Sequence, residues 1–133
     1  MSKSMVEHII KINAPVSRVW LVFTDPVLTR RMGGEYVSDW DVGSSFGWMG
    51  PDGKMATRGT IRQITPERLL QHDLLNSVGS IQSVITYKFA ENDQVTTLHA
   101  REEFAAPVSD EEYADAAAGW EAALVAVKEL AET

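Results

Sequence analysis

The chain has 133 residues, a formal net charge of −7 and no cysteine. A chain of this length can bury roughly two-thirds of its unfolded surface without covalent cross-links, and the lack of cysteine excludes disulfides and thiol chemistry. Residues 1–75 carry nine basic and eight acidic side chains, and residues 76–133 carry three and eleven. This acidic second half argues against nucleic-acid binding, which needs a cationic surface.

The sequence predicts one domain over residues 1–133 with no membrane span. No stretch approaches the roughly 20 apolar residues that a spanning helix needs. Residues 1–12 lack the long apolar core of a signal peptide. We therefore expect a cytoplasmic protein.

The first third of the chain predicts a strand followed by two short helices. Residues 4–12 alternate between apolar and polar side chains, which is typical of a strand. Pro15 suits the first turn of a helix, whose buried stripe is predicted to be Val16, Val19, Trp20 and Phe23. Asp25-Pro26 has the pattern of an N-cap followed by proline, so a second helix begins there and ends at Gly33-Gly34.

The middle of the chain predicts five further strands separated by turn sequences. Residues 50–53 form a Pro-Asp-Gly turn, residues 65–67 a corner and residues 91–93 a hairpin turn. Between them, apolar residues alternate with polar ones. The predicted strands are 44–50, 55–64, 68–75, 80–89 and 94–104.

A long C-terminal helix follows Pro107, which is expected to end the last strand. Ser109 and Glu112 have the spacing of a capping box. The apolar stripe is Tyr113, Ala116, Ala117, Trp120, Leu124, Val127 and Leu130. Successive strands with helices at both ends indicate an antiparallel sheet with helices on one face. Small residues let the helix approach this sheet, and Trp120 fills or lines the space that remains.

Four motifs occur in a characteristic order: APVSRVW with TDP, WDVGSSFGW, GTIRQITPERLL and AAAGWEAAL. Together they resemble the START-like superfamily, also called SRPBCC, which has the helix-grip fold of the birch pollen allergen. Within it, the branch named after the activator of a heat-shock-chaperone ATPase is the most similar. The resemblance implies an α+β protein of order β-α-α-β-β-β-β-β-α. A curved antiparallel sheet of about six strands would wrap around the long C-terminal helix and leave a cavity between them.

The resemblance also implies a function. Similar proteins bind lipids, polyketides, hormones or other hydrophobic molecules in this cavity, so we expect a carrier or sensor of a small hydrophobic ligand, without a cofactor. An enzyme of cyclase, dehydratase or hydrolase type is one alternative, and an interaction module for a chaperone or a second copy of the chain is another. Relatives often have two tryptophans before the glycine after the second helix, where this chain has Arg31-Met32.

Strand 68–75 has two interpretations. Alternation alone puts Leu70, His72 and Leu74 on the buried face. The resemblance instead turns Leu69, Gln71 and Asp73 inward, and the expected cavity follows that choice. Its lining is predicted to be Trp20, Trp40, Phe46, Trp48, Gln71, Asp73, Ile85, Tyr87, Glu102, Trp120 and Leu124.

Three of these residues form the only candidate acid–base set: Asp73, Tyr87 and Glu102. A carboxylate in an apolar cavity needs a donor, and Glu102 is expected either to pair with Arg58 or Arg62 or to face a ligand. No metal site is predicted, because His72 and His99 lack a third ligand.

Overall fold

The structure is a computed structural model that describes residues 3–133. Its strands are β1 (Lys3–Ile12), β2 (Glu35–Ser38), β3 (Ser45–Met49), β4 (Met55–Thr65), β5 (Leu69–Leu75), β6 (Ile81–Asn92) and β7 (Val95–Val108). Its helices are α1 (Val16–Thr24), α2 (Pro26–Thr29) and α3 (Asp110–Ala131), with a 3₁₀ turn at Arg30–Met32 directly after α2.

The described strands form one curved antiparallel sheet in the order β1-β7-β6-β5-β4-β3-β2. The helix α3 packs against one face of this sheet, so the predicted α+β helix-grip arrangement is confirmed. The sheet has seven strands rather than about six. The additional strand is β2, whose four residues are too few to show an alternating pattern in the sequence.

Local sequence signals position the helices. Asp25 caps α2 by accepting a hydrogen bond from the backbone nitrogen of Val27 (3.0 Å), with Pro26 at the first helical position. The start of α1 is capped from a distance, because the Glu91 carboxylate accepts a 2.7 Å hydrogen bond from the nitrogen of Val16. The cap of α2 was predicted from neighbouring residues. The cap of α1 was not predicted, because it joins positions 75 residues apart in the chain.

Hydrogen bonds stabilise both ends of the helix α3. The capping box at its start is confirmed, since Ser109 and Glu112 exchange hydrogen bonds of 3.1 and 3.2 Å. Near its end, Glu132 accepts from the backbone nitrogen of Asn13 (2.7 Å), just after β1. The buried residues of α3 are Leu124, Val127, Leu130 and Ala131. All four lie in its C-terminal half, so its N-terminal half packs less closely on the sheet.

Two predicted boundaries differ from the structure. Glu91 and Asn92 continue β6, and the hairpin turn lies at Asp93 and Gln94, whose φ angles of 52° and 66° suit a two-residue turn. Pro107 does not end the last strand, because β7 extends to Val108.

Among the described residues, no helix has both the length and the apolar character that a membrane span requires.

Candidate functional site

A cavity of about 300 Å³ lies between the C-terminal half of α3 and the aromatic side chains beneath it. The helix contributes one wall and α1, β2, β3 and β6 contribute the other. Its lining residues are Phe23, Met32, Tyr36, Trp48, Tyr87, Trp120, Ala123, Leu124, Ala126 and Val127. We refer to this space as the helix cavity. Alanines on α3 keep it open, because larger side chains there would fill it.

The floor of the helix cavity is a packed aromatic cluster. Phe23 stacks on Tyr36 with ring centroids 5.8 Å apart and planes 8° from parallel. Trp48 and Tyr87 contact this pair edge-on, at 4.9 Å from Tyr36 and 5.0 Å from Phe23 respectively. Stacked and edge-on rings at these distances are mutually favourable. The cluster therefore gives the cavity rigid, flat walls.

Two phenols are the main polar groups in this apolar lining. The hydroxyls of Tyr36 and Tyr87 interact with each other, and burial raises the pKa of both above the ordinary value. Both therefore stay neutral at physiological pH. Each phenol carries one proton that it can donate, so at least one proton remains for a bound molecule even when one hydroxyl donates to the other. The cavity can thus offer one hydrogen-bond donor to a bound molecule.

Trp120 forms the end wall of the helix cavity. Its ring lies edge-on to Tyr87 at 5.7 Å, and its Nε1 donates a 2.9 Å hydrogen bond to Glu102 on β7. Glu102 also accepts a 2.7 Å hydrogen bond from the hydroxyl of Ser83 on β6. Of the two alternatives for Glu102, the ion pair with Arg58 or Arg62 is wrong, because the neutral donors of Ser83 and Trp120 take its place.

Four of the predicted lining residues border the helix cavity: Trp48, Tyr87, Trp120 and Leu124. Another four lie in or against the surrounding core instead: Trp20, Trp40, Phe46 and Ile85. Trp20, for example, packs edge-on against Phe89 at 5.3 Å. Glu102 faces the other side of Trp120. The predicted set is therefore divided between the lining of the helix cavity and the core around it.

The sequence interpretation missed six lining residues: Phe23, Met32, Tyr36, Ala123, Ala126 and Val127. Phe23 and Val127 were predicted as buried, although not as cavity residues. Met32 had a signal in the sequence, since it stands at the position where the resemblance led us to expect a tryptophan. Tyr36 had none, because it belongs to the short strand β2.

The predicted inward orientation of Gln71 and Asp73 is wrong. On β5, Leu70 pairs with Tyr87 and His72 pairs with Ile85, so these alternate positions face the core. Gln71 lies on the opposite face of the sheet, where it donates a 3.0 Å hydrogen bond to Thr86. The alternation of apolar residues predicted the correct face, and the family resemblance predicted the wrong one.

Asp73 is buried on that opposite face of the sheet. Its Oδ1 accepts a 2.8 Å hydrogen bond from the backbone nitrogen of Thr60, and Arg62 Nε lies 3.4 Å from its Oδ2. Since the sheet separates Asp73 from Tyr87 and Glu102, the three predicted acid–base residues do not converge on one point. Tyr87 and Glu102 both contact Trp120, through its ring and its Nε1 respectively. Burial and, to a smaller extent, the nearby charge of Glu102 raise the pKa of Tyr87 and keep it neutral.

His72 occupies the inner position that the alternation predicted. Its ring packs on Phe46 with centroids 4.1 Å apart, and its Nδ1 donates a 3.0 Å hydrogen bond to the backbone oxygen of Asp73. Burial lowers the pKa of His72 to about 4. His99 lies on the other face of the sheet, 2.6 Å from Glu7. The two histidines are therefore apart, and residues 3–133 contain no group of three potential metal ligands.

A curved seven-stranded antiparallel sheet, a long C-terminal helix and an aromatic cavity between them define this molecule as a START-like helix-grip protein. The model of one family within this class, Activator of Hsp90 ATPase homolog 1-like protein, matches residues 13–132. The chain belongs to this family. A search of curated protein sequences finds no match.

Solved structures share the fold. CalU16 from Micromonospora echinospora superposes with a TM-score of 0.78 at 23% identity, over 96% of this chain and 75% of that one. DynU16, a protein in the dynemicin biosynthetic locus, superposes with a TM-score of 0.85 at 21% identity. The superposition covers 98% of this chain and 48% of the DynU16 chain. The Aha1 dimer from Colwellia psychrerythraea superposes with a TM-score of 0.80 at 14% identity. The superposition covers 98% of this chain and 97% of the Aha1 chain.

Proposed function

We propose that this protein binds a small, flat, hydrophobic molecule in the helix cavity, as a carrier or sensor. The observation that carries the proposal is the aromatic lining with two neutral phenols in it. Apolar walls with a few well-placed polar groups are typical of small-molecule sites. At about 300 Å³ the cavity lies at the lower end of their range, which favours a molecule of few rings.

The phenols of Tyr36 and Tyr87 indicate a second property of the ligand, namely that it carries a hydrogen-bond acceptor. The lining residues include no charged side chain, so burying an ionic ligand there is unfavourable. The neutral phenols can donate to a neutral acceptor such as a carbonyl oxygen. The proposed ligand class is therefore an aromatic molecule that carries one carbonyl or similar acceptor.

A matched pair of probes tests this class. We expect 2-acetylnaphthalene to bind about 3- to 10-fold more tightly than 2-ethylnaphthalene, because a hydrogen bond to the carbonyl contributes about 1 kcal/mol. Titration calorimetry measures both affinities. At a concentration of about 100 times its dissociation constant, the better ligand should add roughly 2.7 kcal/mol to the free energy of unfolding.

The control for this experiment is the double variant Tyr36→Phe/Tyr87→Phe. Each single variant would leave one phenol able to donate to the ligand, whereas the double variant leaves neither. Replacing both partners of a hydrogen bond by apolar groups of similar shape changes stability little. The two probes should then bind equally. If neither probe binds the unmodified protein, the ligand-binding proposal fails; if both bind it equally, the role of the phenols fails.

A role in protein association is a second proposal, and it is supported by family membership and by the dimeric Colwellia neighbour. The partner would be a chaperone or a second copy of this chain. Sedimentation equilibrium tests the second case. A mass near 14.7 kDa at all protein concentrations would exclude self-association and leave only the chaperone.

A further inference from the structure

A second concave space lies on the other side of Trp120. It is a cleft of about 620 Å³ between the N-terminal half of α3 and the adjacent ends of β6 and β7. We refer to it as the amine cleft. Its lining residues are Asn76, Ile81, Gln82, Glu102, Phe104, Ala105, Ala106, Pro107, Val108, Glu112 and Ala116. None of its lining residues borders the helix cavity.

The amine cleft contains a buried carboxylate that has no cationic partner among the described residues. Glu102 is 9% exposed, and its described hydrogen-bond donors are the neutral groups of Ser83 and Trp120. The lining includes a second acid, Glu112, at the exposed rim, and no lysine, arginine or histidine. A buried carboxylate without a positive partner is unfavourable, so a bound cation would stabilise it.

The carboxylate of Glu102 still has room for a cation. Two carboxylate oxygens offer about four acceptor positions, and the two described hydrogen bonds occupy one on each oxygen. Ile81, Phe104 and Val108 give the same cleft apolar surface. A molecule that combines a positive charge with an apolar body matches both features.

We propose that the amine cleft binds a small organic ammonium ion with an apolar body, and that Glu102 is its counter-ion. The ammonium group donates to the free acceptor positions of Glu102, and the apolar body packs against the side chains of β6 and β7. The rim carboxylate of Glu112 adds a weaker attraction, since an exposed charge is screened by solvent.

Trp120 couples the two spaces. Its Nε1 donates to Glu102, which lines the amine cleft, while its ring is a wall of the helix cavity. A cation bound to the free acceptor positions of Glu102 changes the charge at the group that accepts from Trp120. Binding in the amine cleft should therefore shift the indole Nε1–H resonance of Trp120.

The test compares 2-phenylethylamine with 2-phenylethanol, which has the same ring and chain without the charge. Titration calorimetry at low ionic strength should show the amine binding about 10-fold or more tightly, since hydrogen bonds to charged groups contribute about twice as much as neutral ones. In Glu102→Gln this preference should disappear. Equal binding of both probes to the unmodified protein would overturn the proposal, and so would an unchanged preference in Glu102→Gln.

Two further variants complete the test. Glu112→Gln removes the same charge at the rim and keeps the capping box, which accepts glutamine, so it should change the affinity for the amine less than about 3-fold. Ala116→Leu keeps Glu102 and narrows the amine cleft, so it should weaken binding of the amine. An unchanged affinity in Ala116→Leu would place the amine elsewhere, for example in the helix cavity, and would refute the proposed site. Ala116→Leu also decides the outcome if Glu102→Gln does not fold.

Discussion

Replacing Gly59 by alanine is expected to destabilise the protein by about 3 kcal/mol or more, which is at the upper end for overpacking in a core. A Cβ atom at this position would lie 1.8 Å from the backbone oxygen of Asp73 and 2.8 Å from its carbonyl carbon. Backbone atoms cannot move aside by changing a rotamer. The strands β4 and β5 would have to separate locally, at the point where Thr60 donates to the Asp73 carboxylate. Urea denaturation measures the loss.

Gly119→Ala is the matched control for this variant. Gly119 is exposed within α3, and a Cβ atom there would meet nothing within 4 Å. Alanine in place of glycine stabilises a helix interior by about 0.5–1 kcal/mol. The same substitution should thus raise the free energy of unfolding at position 119 and lower it at position 59. A loss below about 1 kcal/mol for Gly59→Ala would show that β4 and β5 are not packed as closely as described.

Local and periodic signals in the sequence predicted most of the fold. The capping box at Ser109 and Glu112 depends only on residues close in the chain, and so does the N-cap at Asp25. The strand β2 was missed because four residues carry almost no periodic information. The cap of α1 by Glu91 was missed because it depends on the folded position of a distant hairpin.

The site was harder to predict than the fold. Periodicity identifies the buried face of an element, and it does not say which buried residue borders an empty space. Phe46 and Ile85 are buried as expected and pack within the core, whereas Phe23 and Tyr36 reach the helix cavity because α1 and β2 meet beneath α3. For β5, the alternation of residues that includes Leu70 and His72 predicted correctly which face of the strand is directed toward the core.

Lowering the pH from 7 to 4 is expected to reduce the free energy of unfolding by about 3 kcal/mol through His72 alone. Burial lowers the pKa of this imidazole to about 4 in the folded protein, against an ordinary value of 6.5 in the unfolded chain. Below pH 6.5 the unfolded chain therefore binds a proton that the folded protein does not. Stability falls as the pH drops from 6.5 to about 4, and it becomes independent of His72 below that.

The variant His72→Phe isolates this effect. Phenylalanine keeps a flat ring against Phe46 and removes the titrating group. The hydrogen bond to the backbone oxygen of Asp73 is lost as well, so the variant starts at a lower stability at pH 7. Its stability should then depend less on pH, and the two curves, measured by urea denaturation, should converge by about 3 kcal/mol between pH 7 and pH 4.

The test of the His72 pKa is the difference in slope between the two curves of unfolding free energy against pH, not the difference between their values at one pH. The other histidines and all carboxylates are present in both proteins, so their contributions cancel if they titrate alike. A difference in height at pH 7 reports packing and one hydrogen bond, whereas a difference in slope reports protons bound. Parallel curves would mean that the imidazole titrates alike in the folded and unfolded states. His72 would then be accessible to water, which contradicts its 3% exposure against Phe46 beneath the aromatic floor of the helix cavity.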